Sequence, residues 1–225
     1  MKADIGLLAS AGIKLLMGLV LVGLLIFLPA GTMHFFYGWL LVALLFVPMF
    51  IAGVVMALRS LELLKKRLNA KEKEDEQKSV VAMSGILFVA AFVVAGLNFR
   101  YAWMVMPSWV VWCAVMFFLL SYLMYAEVLR ENAYLSRTIE VQEGQKVIDT
   151  GLYGIVRHPM YTATILLFLS MPLVLGSLPS FVIMLVYIPL IVKRIRNEEK
   201  VLLDGLAGYE SYCSKVKYRL LPFVW

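Results

Sequence analysis

The chain carries little charge for its length, and this scarcity excludes most soluble folds. Only 16% of its 225 residues are charged, while 62% are hydrophobic. Soluble domains are typically about half apolar and about a quarter charged, and one soluble core of this size cannot hide so much apolar surface. The composition therefore excludes a soluble enzyme, a disordered chain and a small secreted domain. It indicates an integral membrane protein.

Cysteine is also scarce, and acidic residues are outnumbered by basic ones. The two cysteines, Cys113 and Cys213, have no metal-type spacing, so neither a zinc site nor a disulfide framework is indicated. The net charge is +6, which could suggest nucleic acid as a partner. In a membrane chain, however, basic loops mark the cytoplasmic side. We therefore expect membrane lipids as partners, with no nucleic acid and no metal.

Long uncharged runs predict the membrane helices. These runs cover residues 15–58, 79–99, 101–126 and 159–192. Because a membrane helix needs about 20 apolar residues, the first run has room for two helices, from about Ile13 to Leu28 and from about Phe35 to Leu58. The last run predicts a short helical hairpin that turns near Gly176–Pro179. We expect an all-α integral membrane protein with about six transmembrane helices, a cytoplasmic cofactor-binding segment and a C-terminal helix.

Lysine and arginine predict the orientation. With six spans and a cytoplasmic N-terminus, Arg100 is the only one of the 21 basic residues in an outside loop. This asymmetry predicts a multi-pass protein with both termini in the cytoplasm. We also predict two units, a two-span extension with a charged connector over 1–78 and a core over 79–225.

Polar and charged residues are concentrated in two predicted cytoplasmic segments that flank the final hairpin. In the first, the alternation in Thr138–Gln142 and the turn residues Glu143-Gly144 predict a short extended hairpin. Arg157-His158-Pro159-Met160-Tyr161 then opens a membrane helix. Proline is favoured at a first helical position, which places His158 at or beside the N-cap. A helix start with free N–H groups can hold an anion, although Arg157 and His158 could also be a basic membrane flank.

The second segment, Lys193–Lys200, continues the last predicted span. Arg194 and Glu198 are four apart and share a helix face, and Arg196 and Glu199 are three apart and share a neighbouring face. These pairs are either a surface ladder of ion pairs or part of a pocket. Because a short turn joins the last two helices, their inner ends are neighbours, which favours a site at the cytoplasmic end of the hairpin.

The two segments together resemble the membrane methyltransferases typified by isoprenylcysteine carboxyl methyltransferase, and their phospholipid methyltransferase relatives. The matching residues are Gly151-Leu152-Tyr153, Arg157-His158-Pro159-Met160-Tyr161, Glu198-Glu199 with Leu202, and Gly208-Tyr209, Tyr212 and Tyr218-Arg219-Leu220-Leu221-Pro222. The resemblance covers about the last 100 residues. Leu152 stands where proline is frequent in the family, and Ala163 stands where glycine is frequent.

The resemblance implies S-adenosylmethionine (SAM) as methyl donor, enclosed near the cytoplasmic face. The cofactor-binding residues it implies are Gln142, Gln145, Lys146, Val147, Ile148, Tyr153, His158, Pro159, Met160, Tyr161 and Glu199. It implies a catalytic role for Arg194 at the acceptor, which would be apolar, lipid-like or prenylated. A prenylcysteine-type carboxylate would make the reaction a carboxyl O-methylation. The sequence selects neither a particular acceptor nor an oligomeric state.

Two other classes of protein stay open. Sterol reductases share an Arg-His-x-x-Tyr helix start and use NADPH, but they usually carry asparagine where this chain has Met160. A transporter or a non-catalytic membrane scaffold is the other alternative. Against a transporter, no charged residue lies in the middle of a predicted span, and no paired broken helices recur in two halves of the chain.

Overall fold

The computed structural model describes residues 5–68, 75–132, 134–135, 139 and 141–225. The regular structure of this part of the chain is helical. The elements are α1 (Ile5–Ala30), α2 (Phe36–Arg59), α3 (Leu61–Leu68), α4 (Asp75–Tyr101), α5 (Ser108–Glu131), a 3-10 turn (Gly151–Gly154), α6 (Pro159–Val174), α7 (Leu178–Met184), α8 (Tyr187–Gly205) and α9 (Tyr209–Lys215). The predicted all-α integral membrane fold is confirmed.

Within the described part of the chain, five helical stretches are long and apolar enough to cross a membrane. They are Gly6–Ala30, Phe36–Arg59, Lys78–Tyr101, Ser108–Glu131 and Leu178–Gly205, the last formed by α7 and α8 together. Helix α6 is apolar but has only 16 residues, fewer than the roughly 20 that a full crossing needs. Where the sequence predicted about six spans, the structure therefore has five and a shorter apolar helix. The protein is a multi-pass membrane protein, and its orientation remains a prediction.

The final hairpin is present, and its second arm is broken by a proline. Helix α6 ends at Val174 and α7 begins at Leu178, after Ser177 caps it by accepting a hydrogen bond from the Ser180 N–H at 3.3 Å. The arm then turns at 185–186 before α8 begins. Pro189 has no N–H to donate to the carbonyl four residues earlier, and its ring crowds that carbonyl. This break separates α7 from α8, which carries the charged residues.

The predicted extended hairpin before α6 is only partly present. Residues 138 and 140 lie outside the described residues, and residues 139 and 141–150 form no strand. The turn exists, because the Gln145 N–H donates to the Gln142 carbonyl at 3.0 Å. The Gln142 N–H, however, donates to Oε1 of the Gln145 side chain at 2.9 Å. A local side-chain bond thus takes a backbone group that a strand ladder would need.

The apolar core joins the first helices to the last ones. Side chains of α1, α2, α4, α5 and α6 form one buried cluster, which includes Ile26, Ala95 and Phe118. Helix α1 approaches α4 very closely, since a Cβ placed on Gly96 would lie 2.5 Å from the Ile26 carbonyl oxygen. Other apolar side chains, Met116 among them, are exposed, as lipid-facing positions are. The division at residue 78 stays a prediction, and residues 69–74 of the charged connector lie outside the described residues.

Candidate functional site

A cavity of about 850 Å³, including its open mouth, lies where α6, α8 and α9 meet the segment that follows α5. The wall is built by Asn132, Tyr134, Leu135, Ile139, Gln145, Lys146, Val147, Ile148, Tyr153, Arg157, His158, Met160, Tyr161, Arg194, Glu198, Leu202, Leu206, Tyr209 and Tyr212. Apolar and aromatic groups alternate in this wall with charges of both signs.

Most of the residues implied by the resemblance lie together on this wall. Those that line the cavity are Gln145, Lys146, Val147, Ile148, Tyr153, His158, Met160, Tyr161 and Arg194. Gln142, Pro159 and Glu199 do not line it. The Gln142 side chain donates instead to the Tyr134 carbonyl, Pro159 begins α6, and the Glu199 carboxylate lies behind the His158 ring.

His158 is buried at the N-cap of α6, as the proline after it predicts. Its Nε2 lies 3.3 Å from Glu199 Oε1, and its Nδ1 lies 4.0 Å from Glu198 Oε1. An ionised carboxylate can only accept hydrogen bonds, so the Nε2–H donates to Glu199. This bond fixes the orientation of the imidazole, whose other nitrogen faces the carboxylate on the cavity wall.

The backbone N–H groups just before α6 are already used. The N–H groups of Arg157 and His158 donate to the carbonyls of Tyr218 and Arg219, both at 2.9 Å, and the following residue is a proline without an N–H. These two backbone groups are therefore not available to an anion at the helix start.

Glu199 sits on the buried face of α8, one turn after the buried Ile195. Its Oε1 lies 2.9 Å from Nη1 of Arg157, and its Oε2 accepts a hydrogen bond from Nε of Arg219 at 2.7 Å. A buried charge is tolerated only when it is paired and hydrogen-bonded in this way. We expected Arg196 to share the face of Glu199. Arg196 is exposed instead, because the buried face of α8 packs towards α6.

Arg194 and Glu198 both line the cavity, which confirms their predicted common face. The Tyr161 hydroxyl connects them. It donates to Glu198 Oε2 at 2.5 Å and accepts from Arg194 Nε at 2.9 Å. A guanidinium and a carboxylate are thus held a few ångströms apart, so the wall can contact groups of either charge.

Two buried donors at the cavity have no hydrogen-bond partner among the described residues. They are Nε of Arg157 and the hydroxyl of Tyr209, and both residues line the cavity. Burial raises the pKa of the Tyr209 hydroxyl far above its ordinary value, so this group stays a neutral donor. Leaving a buried donor unsatisfied costs about 1–3 kcal/mol. The pair therefore points to a ligand that brings acceptor atoms.

Two wall residues, Tyr209 and Tyr212, come from helix α9, which sequence reasoning did not include in the site. The Tyr212 hydroxyl donates to the Tyr153 carbonyl at 2.7 Å, and Asn132 Nδ2 donates to the Tyr153 hydroxyl at 3.0 Å. Burial raises the pKa of the Tyr212 hydroxyl well above its ordinary value, so it stays protonated and keeps this bond. The signal that could have found α9 is the spacing of Tyr209 and Tyr212, which puts both on one helical face.

The chain resembles known proteins in this same region. Residues 113–204 match the model of the isoprenylcysteine carboxyl methyltransferase (ICMT) family. The Delta(14)-sterol reductase TM7SF2 of Mus musculus is 32% identical over 91 residues, which are 39% of this chain and 22% of that protein. The Delta(14)-sterol reductase erg24 of Schizosaccharomyces pombe is 28% identical over 90 residues, which are 39% of this chain and 21% of that protein.

The matches locate the resemblance on the helices that build the cavity. The matched family segment contains α6, α7 and nearly all of α8, whereas α9 and the last ten residues lie beyond it. The chain spans only about a fifth of the length of the two curated relatives. The resemblance to the isoprenylcysteine carboxyl methyltransferase family predicted from the sequence is confirmed for residues 113–204.

Proposed function

We propose that this protein is a SAM-dependent methyltransferase that acts on an apolar or lipid-like acceptor at the inner face of the membrane. The observation that carries the proposal is the cavity, whose wall presents fixed charges of both signs at the inner end of helices similar to the ICMT family. A membrane enzyme built in this way brings a water-soluble donor and a lipid-soluble acceptor to one place.

The cavity fits the chemical groups of SAM. The carboxylate of the methionine part needs donors, and the unsatisfied Arg157 Nε and Tyr209 hydroxyl supply them. The amine and the sulfonium are positive, and Glu198 is the carboxylate on the wall. The adenine ring needs an apolar surface, which side chains such as Leu202 and Leu206 provide. These residues would hold the donor.

The bound donor supplies a methyl group on a positively charged sulphur, and the protein contributes orientation and exclusion of water. Methyl transfer needs donor and acceptor in line, so fixed positions supply much of the rate. Arg194 is held at the wall by Tyr161 and would orient the carboxylate of an acceptor, which a planar guanidinium can contact with two parallel bonds. The burial of His158 and Glu199 keeps water out of the inner wall.

The membrane setting supports a lipid-like acceptor. The five long apolar helices support a position of the cavity mouth near the bilayer surface, from which an acceptor could arrive from the lipid phase without crossing water. A prenylcysteine-type carboxylate would satisfy both Arg194 and this route. With both termini in the cytoplasm, as the basic residues predict, the cavity faces the compartment that contains SAM.

A second candidate function is an NADPH-dependent reductase, because the two relatives at 32% and 28% identity are Delta(14)-sterol reductases. NADPH carries several phosphate charges, and a site for it needs a surplus of cationic groups. Among its described residues, the wall carries three cationic side chains, Lys146, Arg157 and Arg194, and one carboxylate, Glu198, with the Glu199 carboxylate behind the His158 ring. This balance of charges does not oppose a polyanion, and the reductase is the second candidate because the model that matches residues 113–204 is that of a methyltransferase family.

Calorimetry on the detergent-solubilised chain separates the two functions. We expect binding of SAM and no binding of NADPH.

We also expect Glu198→Ala to weaken SAM binding, and Arg194→Ala to reduce the methylation of membrane extracts supplied with labelled SAM. Arg196→Ala is the matched control, since Arg196 is an exposed arginine on the same helix. Normal SAM affinity and turnover in the Arg194, Glu198 and Glu199 alanine variants would refute the site assignment, and binding of NADPH alone would favour the reductase.

A further inference from the structure

The segment that follows α9, residues 216–225, is bound to the start of α6 by three backbone carbonyls. The carbonyls of Tyr218 and Arg219 accept the N–H groups of Arg157 and His158, each at 2.9 Å. The Leu220 carbonyl accepts the Thr162 hydroxyl at 2.9 Å. This segment lies beyond the residues that match the ICMT family model, yet it fixes the backbone that carries the cavity histidine.

Arg219 extends from this segment to the buried carboxylate. Its Nε donates to Glu199 Oε2 at 2.7 Å, while the other carboxylate oxygen lies 2.9 Å from Arg157 Nη1 and 3.3 Å from His158 Nε2. The Glu199 side chain is 7% exposed, and the Arg219 side chain is 32% exposed. Arg219 is partly exposed and does not line the cavity, so it contacts the carboxylate from outside the cavity.

Arg219 is itself held in place. Its guanidinium lies over the Trp225 ring, 5.2 Å from the centroid. The Trp225 carbonyl oxygen accepts the N–H groups of Arg219, Leu220 and Leu221 at 2.8, 3.0 and 3.3 Å. These bonds fold residues 219–225 into a closed loop. A long flexible side chain is thus confined to one position, so its bond to Glu199 requires little further loss of freedom.

We infer that Arg219 is a positioning residue for the cavity, acting through Glu199 on His158. Arg219 restrains one carboxylate oxygen, which fixes the other oxygen against the His158 ring and so fixes the ring at the cavity wall. The effect on a ligand rests on the proposed function, whereas the effect on His158 does not. An exposed ion pair would contribute little, but here the carboxylate is buried and the hydrogen bond is charge-assisted.

Histidine-selective ¹⁵N NMR of the full chain in detergent tests the inference without any ligand. The chain has two histidines, and His34 is exposed near the opposite end of the bundle, so it serves as an internal control. We expect Arg219→Gln to shift the His158 signal, Arg219→Lys to shift it less, and Lys217→Gln, an exposed cation two residues away, to leave it unchanged. His34 should not move in any variant. An unchanged His158 signal in Arg219→Gln overturns the inference.

Binding measurements connect the same variants to the cavity. We expect Arg219→Gln to weaken SAM binding about tenfold, the size expected for one hydrogen bond to a charged group. Arg219→Lys should recover part of the loss, and Arg219→Gln should add nothing in a Glu199→Gln background. Normal SAM affinity in Arg219→Gln, or additive losses, overturns the role at the cavity. If the unmodified chain binds no SAM, the proposed function fails, and the histidine spectra still decide the inference. Arg219→Lys keeps the cation should Arg219→Gln fail to fold.

Discussion

The membrane-embedded part of the bundle and the end that carries the cavity, which is predicted to be the inner end, satisfy buried polar groups in different ways. Among the described residues of the membrane part, the buried polar side chains are neutral and bond to backbone groups. Ser121 donates to the Phe118 carbonyl at 2.6 Å, and Ser180 donates to the Ala91 carbonyl at 2.6 Å. At the inner end, a buried histidine and a buried carboxylate bond to charged side chains from distant segments.

The difference shows where the chain has a free-energy cost, the burial of charged groups, that packing alone does not require. Neutral side-chain bonds to nearby carbonyls are the ordinary way to keep a polar group inside a membrane bundle. Buried charges are often no more stable than apolar side chains of similar volume. The cluster of Arg157, His158, Glu199 and Arg219 therefore indicates a use beyond stability, whereas the serines of the bundle indicate packing.

Removal of the Glu199 carboxylate should give the largest effect. Glu199→Ala leaves Arg157, Arg219 and His158 without their shared acceptor in a buried place. Breaking one side of a buried ion pair costs about 3–5 kcal/mol, so we expect a large fall in the thermal unfolding midpoint in detergent and loss of SAM binding. Glu210→Ala, an exposed carboxylate on α9, is the control. Equal midpoints for the two variants would show that the inner cluster is no different from the surface.

Gly96 tests the membrane part without touching the cavity. A Cβ there would lie 2.5 Å from the Ile26 carbonyl oxygen and 3.0 Å from the Ala30 nitrogen, so Gly96→Ala must push α1 away from α4. Overpacking of this kind costs about 1–3 kcal/mol. We expect a lower unfolding midpoint with SAM affinity unchanged.

Gly85→Ala is the matched control on the same helix. Nothing lies within 4 Å of a Cβ at Gly85, so alanine should stabilise the helix by up to about 1 kcal/mol. If Gly96→Ala abolishes SAM binding while the fold persists, α1 and the cavity are coupled. The predicted division of the chain at residue 78 would then be wrong.

The membrane helices could be predicted because the bilayer imposes length and absence of charge. The second helix was expected from about 35 to 58 and runs from Phe36 to Arg59. The first was expected to begin near Ile13 but begins at Ile5, because Lys14 does not end it. The Lys14 ammonium instead donates to the Leu68 carbonyl at 2.9 Å. One lysine at the inner end of a span is thus accommodated by the end of a neighbouring helix.

The site could be predicted only where its residues are close in the sequence or are brought together by the short hairpin. His158, Tyr161 and Arg194 lie together because the hairpin brings the ends of α6 and α8 side by side. The resemblance implied Glu199 as the cofactor-binding carboxylate, whereas Glu198 lines the cavity and Glu199 bonds to the His158 ring. The rotation of α8 about its axis decides between these two neighbours, and spacing alone does not predict it. The contact between Arg219 and Glu199 joins loop to helix. A contact between a loop and a helix leaves no periodic pattern in the sequence, so it could not be predicted.

Gly151 tests whether the loop before α6 depends on close packing or only on backbone freedom. Gly151 and Gly144 both have positive φ, +53° and +70°, so alanine costs roughly 1–2 kcal/mol at either position. At Gly151 the Cβ would also lie 2.5 Å from the Glu131 carboxylate, which accepts the Thr150 hydroxyl at 2.8 Å.

We therefore expect Gly151→Ala to lower stability by about 1 kcal/mol more than Gly144→Ala, the value of the lost hydrogen bond. It should also weaken SAM binding, because the cavity residue Tyr153 is two residues further along the same turn. The free energy of unfolding and the calorimetric affinity of both variants check this. Equal values for the two alanine variants would show that backbone strain, and not the Glu131 contact, sets the need for glycine.

The smallest effect should come from the ion pair between Lys215 and Asp149. The Lys215 ammonium lies 2.7 Å from Asp149 Oδ2, and both side chains are largely exposed. The hydrogen bond from Lys215 lowers the pKa of the Asp149 carboxyl. A carboxyl whose pKa is lowered by folding stabilises the fold above its ordinary pKa, and this contribution is lost as the pH falls through the lowered value.

Lys215→Gln should therefore lower the unfolding midpoint only slightly at neutral pH. The difference from the unmodified chain should vanish in strongly acidic buffer, where Asp149 is protonated, and should shrink at high salt, which screens exposed charges. Lys217→Gln, at another exposed lysine, gives the reference. A large difference in midpoint that persists in acid would show that this pair is coupled to the buried cluster of Arg157, His158, Glu199 and Arg219. Exposed and buried charges at this end of the bundle would then not differ in the way proposed.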